Sequence, residues 1–187
     1  FGDRHWRHRS LQECVQLGMD RAEAKGGIPF TWLTVTNAGA SEVSQAALRN
    51  LSIDEEELRT GYLCDPATKS DLRILAKPGI VIRLSRNLDK SRGFVNGALA
   101  VIKEALRGNQ VFTAELMGTG NMALVHPMHE NEYGTFLPCC YGYATTIRRA
   151  QSAWPRNDRS VVRRFREARA PQFQGRGDTI PFHAIRW

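Results

Sequence analysis

Apolar positions early in the chain recur at helical spacing, then give way to short, nearly continuous apolar runs. Leu11, Cys14, Val15, Met19 and Ala22 share one face at a 3.6-residue period. Ser10-Leu-Gln-Glu13 in front of them is a capping box, so the spacing predicts a helix that stops at Gly26-Gly27. Residues 31–36 (TWLTVT) are β-branched and aromatic and predict a strand. A second helix follows, with Asn37 in the N-cap position and Ala40, Val43, Ala47 and Leu51 as its apolar face. The acidic run at 54–57 reads as a solvated face or loop.

From Pro78 the pattern changes to short strands. Residues 80–84 predict a buried strand, 87–93 a polar connection, and Asn96-Gly97 a tight hairpin turn with φ > 0 expected at both positions. Strands are predicted at 98–103, 111–117 and 122–125, punctuated by Gly108-Asn109 and by 118–121. Residues 141–146 read as a buried strand that runs into a short helix carrying Arg148 and Arg149 in its first turn. Beyond Trp154-Pro155 the pattern decays. A short basic helix at 163–169 and a loop at 171–177 are the only elements suggested there, and little packed structure is expected.

The length of 187 residues suits one domain, or one domain with a tail, and no apolar run approaches a membrane span. Nothing at the N-terminus reads as a signal peptide. Phe1 is not an initiator methionine, so a piece of a longer chain or a processed product is expected. Charge changes the picture because it is unevenly placed. Residues 1–147 hold 16 Lys/Arg against 16 Asp/Glu, whereas 148–187 hold 10 Arg, no Lys and 3 acids, which accounts for the whole net charge of +7. An arginine-only segment favours bidentate contact with phosphates; the alternative is a basic extension with no specific partner.

The four cysteines, Cys14, Cys64, Cys139 and Cys140, show no paired spacing, and a reducing, intracellular compartment fits them best. His126 and His129 stand an H-x-x-H apart and raise the question of zinc. An adjacent cysteine pair is awkward for tetrahedral closure, so no metal is expected.

The most informative stretch is 142–151 (GYATTIRRAQ). A strand that ends in threonines and opens a cationic helix places hydroxyls, backbone N–H groups and two guanidiniums together, the groups that grip a phosphate backbone. Thr145 and Thr146 alternate across the strand, so one of them is expected to face a cleft. The order of residues resembles motif V of the Pif/RecD-like superfamily-one helicases, an Ala-x-Thr-(Ile/Val)-His-Lys-Ser-Gln-Gly run. Arg148 stands where that family has His, Arg149 for Lys, Ala150 for Ser and Ser152 for the final Gly. Residues 31–48 resemble the first strand and helix of the second RecA-like domain, with Thr36 and Asn37 on the pair that meets the nucleic-acid backbone. Residues 78–102 resemble the family's apolar strand, Arg-Asn-Leu-Asp, basic stretch and Gly-x-x-Asn-Gly, here Arg86, Asn87, Leu88, Asp89, Gly93, Asn96 and Gly97.

The resemblance implies an α/β fold: a RecA-like, largely parallel sheet flanked by helices, with an antiparallel hairpin or small barrel-like insert at about 78–125. Residues 1–30 would be a leading helix and linker, 31–152 the domain, and 153–187 a basic, poorly ordered tail. It further implies the nucleic-acid-binding half of an ATP-dependent 5′–3′ DNA helicase, with Thr36, Asn37, Thr146, Arg148, Arg149 and Gln151 as contacts. Its partners would be single-stranded nucleic acid and a first RecA-like domain. ATP and Mg²⁺ serve the intact family, but none is expected for this chain alone. It holds no G-x-x-x-x-G-K-[ST] loop, no Asp-Glu pair closing an apolar strand and no recognisable motif VI arginine after Gln151. No catalytic residue is assigned. Two rival readings stay open: a non-enzymatic nucleic-acid-binding subunit, and a structural piece of a large assembly that binds protein. The compartment would be nuclear or organellar.

Three bland readings stand beside these. Asn37 serves equally as a helix cap, Asn96-Gly97 is first a turn, and Asp89 with Arg92 reads as a surface pair.

Overall fold

Helix α1 (Leu11–Glu23) begins at the capping box: Ser10 Oγ accepts from the Glu13 amide, and the Glu13 carboxylate accepts from the Ser10 N–H at 2.7 Å. Its buried face, Cys14, Val15, Gly18 and Ala22, follows the predicted stripe. A Cβ at Gly18 would stand 3.0 Å from Trp32 Cζ2, so the helix lies directly on that indole. The computed structural model describes residues 9–24, 31–106, 111–153 and 183–185, the side chains of 151–153 and 183–185 excepted. The Gly26-Gly27 stop, the Gly108-Asn109 turn, Trp154-Pro155, and the elements suggested at 163–169 and 171–177 lie outside the described residues.

Strand β1 (Thr31–Thr34) is buried at all four positions and leads into α2 (Asn37–Asn50). The cap of α2 is Thr36, not Asn37. Thr36 has extended backbone and its Oγ1 accepts from the Gly39 N–H, which leaves Asn37 as the first helical residue. The acidic run forms a short exposed helix, α3 (Glu55–Arg59), capped by Asp54, with its three glutamates in the first turn, where the helix dipole favours them. Then come β2 (Tyr62–Leu63), a 3₁₀ turn (Pro66–Thr68) and β3 (Arg73–Ile74), with β2 and β3 paired.

The next strands are β4 (Val81–Leu84), β5 (Leu99–Leu106), β6 (Val111–Leu116), β7 (Met122–Val125), β8 (Met128–Glu130), β9 (Gly134–Phe136), β10 (Cys139–Tyr141) and β11 (Ala144–Thr146). Helix α4 (Ile147–Ala153) and strand β12 (His183–Ile185) complete the described elements. Two sheets organise them. In one, β11 runs parallel to β1 and β12 runs antiparallel to it; in the other, β10, β4, β5, β6 and β7 form a five-stranded antiparallel sheet in that order. Helix α2 packs on β1 and β11. The α/β class with a parallel pair is as expected, and the antiparallel part is the larger: it takes in β10, well past residue 125. Alternation on β6 buries Phe112, Ala114 and Leu116 against Ile82, Leu84, Ala100 and Ile102, the heart of the core. β8 and β9 pair with each other; at three residues each they are too short to show a sequence period.

The predicted strand at 141–146 is two strands in two sheets. The chain leaves the antiparallel sheet after Tyr141 and enters the parallel one at Ala144. Gly142 makes the passage. A Cβ there would lie 2.8 Å from Val81 Cγ1, 2.9 Å from Leu99 Cδ2 and 3.1 Å from the Ile82 carbonyl carbon. Hydrogen bonds fix both neighbours: Gly142 N–H donates to the Val81 carbonyl, and Trp32 N–H to the Tyr143 carbonyl. The Tyr143 hydroxyl accepts from the Val81 N–H, and burial pushes its pKa up to about 12.

The Asn96-Gly97 turn differs from the hairpin type expected. Only Gly97 has positive φ, at 92°, and Ala98 N–H closes the turn on the Val95 carbonyl. This is the type II pattern, which asks for glycine at its third position alone. Asn87 Oδ1 holds the loop by accepting from the Asn96 N–H at 2.9 Å. Asp89 and Arg92 are the surface pair foreseen, at 4.0 Å, and Arg92 also reaches the outer strand β7, donating from Nη2 to the Met122 carbonyl. The segment expected to stay unpacked supplies β12, whose backbone pairs with β1 at Leu33↔His183. Three residues in an arginine-rich stretch gave no periodic signal.

Candidate nucleic-acid interface

Strands β1 and β11 end side by side, Thr34 opposite Thr146. A crevice beyond the carboxyl ends of parallel strands is where α/β sheets bind ligands, and here it is a small pocket of about 30 Å³ with both polar and apolar lining. One wall is the first turns of α2, with Asn37, Ser41 and Ser44. The second is the end of β11 and α4, with Thr145, Thr146 and Arg149. The third is the loop Thr68-Lys69-Ser70, and Cys140 and Tyr141 also line the pocket.

Of the residues picked from sequence, Asn37, Thr146 and Arg149 meet in this pocket. Thr145 lines it too, because the strand gives way to α4 just after the two threonines and strict alternation no longer applies. Thr36 is exposed, does not line the pocket, and its hydroxyl accepts from the Gly39 amide. Arg148 is exposed and does not line the pocket. Gln151 belongs to α4, and its side chain lies outside the described residues.

The hydroxyls are partly committed. Ser41 Oγ donates to Asp71 Oδ1 at 2.7 Å, Ser44 Oγ to the Ala40 carbonyl at 2.9 Å, and Thr68 Oγ1 to the Asp65 carbonyl at 2.7 Å. Each retains lone pairs, and rotation can turn its proton elsewhere. Arg149 Nη2 donates to the Ala67 carbonyl at 3.0 Å, which ties α4 to the 3₁₀ turn. Arg83 is cross-strand from Cys140. Its guanidinium is buried, Nη2 donates to Thr31 Oγ1 at 3.2 Å, Nη1 to the Gly97 carbonyl at 3.4 Å, and Nε has no partner among the described residues. Burial lowers the Arg83 pKa. Burial also pushes the Cys140 thiol up, against the pull of Arg83 and Arg149, so it stays protonated and unreactive.

Sequence reasoning missed Ser41, Ser44, Lys69, Ser70 and Arg83. The polar run Thr68-Lys69-Ser70 after Pro66 marks a turn but says nothing of what the turn faces, and a lone arginine inside an apolar strand is the one signal that pointed to Arg83.

The pocket offers hydroxyls, an amide and cations, and no carboxylate is among its described lining residues. Chemically that is an anion-binding surface with no acid–base pair. Among the described residues no group of three or more His, Cys, Asp or Glu is placed to hold a metal, and His129 Nδ1 lies 3.1 Å from Thr135 Oγ1. These residues do not fit a nucleoside triphosphate with Mg²⁺, which needs a phosphate-cradling loop and a carboxylate for the ion.

No protein-family model matches the sequence, and no curated protein matches it. Among solved structures the chain is similar to unliganded Pif1 from Bacteroides sp, with TM-score 0.45 and 19% identity over 64% of this chain and 42% of that one. It is similar to Bacteroides Pif1 bound to ssDNA, with TM-score 0.45 and 17% identity over 66% and 32%. It is also similar to a structure of two coordinating Pif1 helicases at forked dsDNA, with TM-score 0.47 and 19% identity over 75% and 33%. The chain spans less than half the length of each of these structures, and likeness at this level assigns no activity.

Proposed function

We propose that the chain is the nucleic-acid-binding half of a Pif/RecD-like 5′–3′ DNA helicase, and that the pocket between α2, α4 and the 68–70 loop grips the backbone of a single strand. One observation carries the reading: Asn37, Thr146 and Arg149, far apart in sequence, line one pocket at the ends of parallel strands, with no carboxylate among its described lining residues. The three segments of family resemblance and the arginine-only C-terminal stretch support it. Phosphate contacts of this kind position a strand without reading its bases, so binding is independent of sequence. A first RecA-like domain would supply the ATP site in a longer protein. The four cysteines, all free thiols, fit a nuclear or organellar reducing compartment.

The test is the salt dependence of single-strand binding by the purified chain. Each neutralised phosphate contributes roughly −0.7 to the log–log slope, so several contacts give about −3 or steeper. Replacing Arg148 and Arg149 together by Ala flattens that slope by at least roughly 0.7, the share of the pocket residue Arg149. A slope near zero, or one the double variant leaves unchanged, overturns the reading.

A second reading, a non-enzymatic nucleic-acid-binding subunit, is favoured by the poor fit of the described residues to ATP and Mg²⁺. Sequence upstream of Phe1 separates the two: a phosphate loop there supports the helicase.

A further inference from the structure

Lys69 occupies a conformation that lysine seldom adopts. Its φ is 53°, in the left-handed region, and it is one of two non-glycine residues with positive φ among those described, the other being Ser52. A β-carbon is strained there, and Gly or Asn would be the ordinary occupants. Such strain persists where the surroundings impose it, and it clusters at ligand sites.

The surroundings are well defined. Asp65, fully buried, accepts from the Ala67 N–H at 2.9 Å through Oδ1, and its backbone carbonyl accepts from Thr68 N–H and Thr68 Oγ1. The Ala67 carbonyl accepts from Arg149 Nη2, and Lys69 N–H bonds the Pro66 carbonyl at 3.0 Å. Arg86 anchors the carboxylate from the far side, with Nε 2.6 Å from Oδ2. The turn is thus pinned at the Asp65 carboxylate on one side and at Arg149 on the other. Lys69 is exposed and lines the same pocket as Thr146 and Arg149, and among the described residues it enters no ion pair.

We propose that Lys69 is a phosphate-binding residue: the 65–70 turn is a second jaw that closes on the same backbone phosphate that Arg149 and the β11 threonines hold from the other side. This rests on the nucleic-acid reading above and adds to it a residue and a geometry. The strained backbone aims the ammonium at the anion, and Arg149, by bonding Ala67, sets the gap between the jaws. Lysine acts there as a point charge against one phosphate oxygen, beside the forked donor of arginine.

The conformation itself supplies a clean test. Lys69→Asn removes the charge and keeps a residue that tolerates the left-handed region, so folding is preserved; Lys69→Arg keeps the charge. Binding of labelled oligothymidylate is titrated over a range of salt for the full chain and both variants, alongside Arg149→Ala and thermal melts. The expected result is that Lys69→Asn weakens binding about threefold to tenfold and flattens the salt slope by roughly 0.7, one single-strand phosphate contact, with a melting temperature no lower than the parent's. Lys69→Arg restores both. If the parent chain binds, Arg149→Ala weakens it and Lys69→Asn does nothing, the second jaw is overturned and the nucleic-acid reading stands. If the parent chain does not bind oligothymidylate, both are overturned.

Discussion

Arg86 holds the buried carboxylate of Asp65 with two nitrogens, Nε at 2.6 Å from Oδ2 and Nη2 at 3.2 Å from Oδ1, while the same Nη2 reaches Glu130 at 3.1 Å. Ser85 Oγ and the Ala67 N–H complete the shell around Asp65. Burial alone would raise this carboxyl; the hydrogen bonds from Arg86, Ser85 and Ala67 outweigh it and hold the group below the usual carboxylate range. The pair joins the start of the Arg-Asn-Leu-Asp loop to the turn that walls the pocket.

Removing Arg86 strands a carboxylate in the interior. Arg86→Ala should cost about 3 kcal/mol in urea unfolding, near the low end for a broken buried pair because the guanidinium is partly exposed. Asp65 also sets a pH window. A depressed folded-state pKa contributes stability that is complete above the unfolded value of about 3.9 and is lost as pH falls through the lower folded value. Stability should therefore decline more steeply below about pH 4 in the parent chain than in Asp65→Asn; parallel acid profiles would count against this role.

Gly142 is needed for space, not for its backbone angles, since its φ is not among the positive values. Gly142→Ala should destabilise by about 1–3 kcal/mol through overpacking against Val81 and Leu99. Gly79, where a Cβ meets nothing within 4 Å but φ is 88°, provides the contrast: there any cost of Gly79→Ala is conformational. Thermal melts of Gly142→Ala matching the parent would show that the two sheets have slack at their junction.

The type II turn makes its two residues unequal. Asn96 contributes its backbone N–H and has negative φ, so Asn96→Ala should change stability by less than about 0.5 kcal/mol. Gly97→Val forces a β-branched residue to positive φ and should cost about 1–3 kcal/mol. Equal losses at both positions would restore the turn type with positive φ at both.

Arg149 and Arg148 should separate in binding. Arg149 lines the pocket, whereas Arg148 is exposed outside it. Arg149→Ala should weaken single-strand affinity about tenfold, within the range for a charge-assisted contact, and Arg148→Ala by less than about threefold. Fluorescence titration of the two single variants at one salt concentration decides, and the reverse order would move the site to the outer face of α4.

Hydrolysis offers a simple check. The purified chain should show no DNA-stimulated ATP turnover, because its sequence holds no G-x-x-x-x-G-K-[ST] loop. Turnover abolished by a substitution within residues 1–187 would place an ATP site where the sequence shows none.

What could be read beforehand follows from range along the chain. The α1 capping box is a contact over three residues, and β1 with α2 is a change of period; both are local and both were legible. Thr36 and Asn37 both suit a cap, and only the geometry at Gly39 chooses between them. The break at Gly142 was hidden because two residues between apolar runs look like an uninterrupted strand, although Val81 and Leu99 make it a junction of sheets. The meeting of Asn37, Thr146 and Arg149 could be anticipated only through motif order. Lys69 joins them by a turn whose direction is set by Asp65 and Arg86, and no sequence pattern encodes that contact.

Arg92 has a consequence for how copies of the chain behave at high concentration. β7 is the last strand of its sheet and reads Met-Ala-Leu-Val, with Met122 and Leu124 exposed and no charge of its own. An uncharged, apolar outer strand is a template for adding a strand from another molecule. The Arg92 guanidinium lies on the Met122 carbonyl and Asn121 Nδ2 donates back to the Arg92 carbonyl, so a charged side chain from a neighbouring loop is laced across the start of that edge. The loop that carries the Arg-Asn-Leu-Asp sequence therefore sets a charge at the edge where a strand from another copy would add, apart from any grip on nucleic acid.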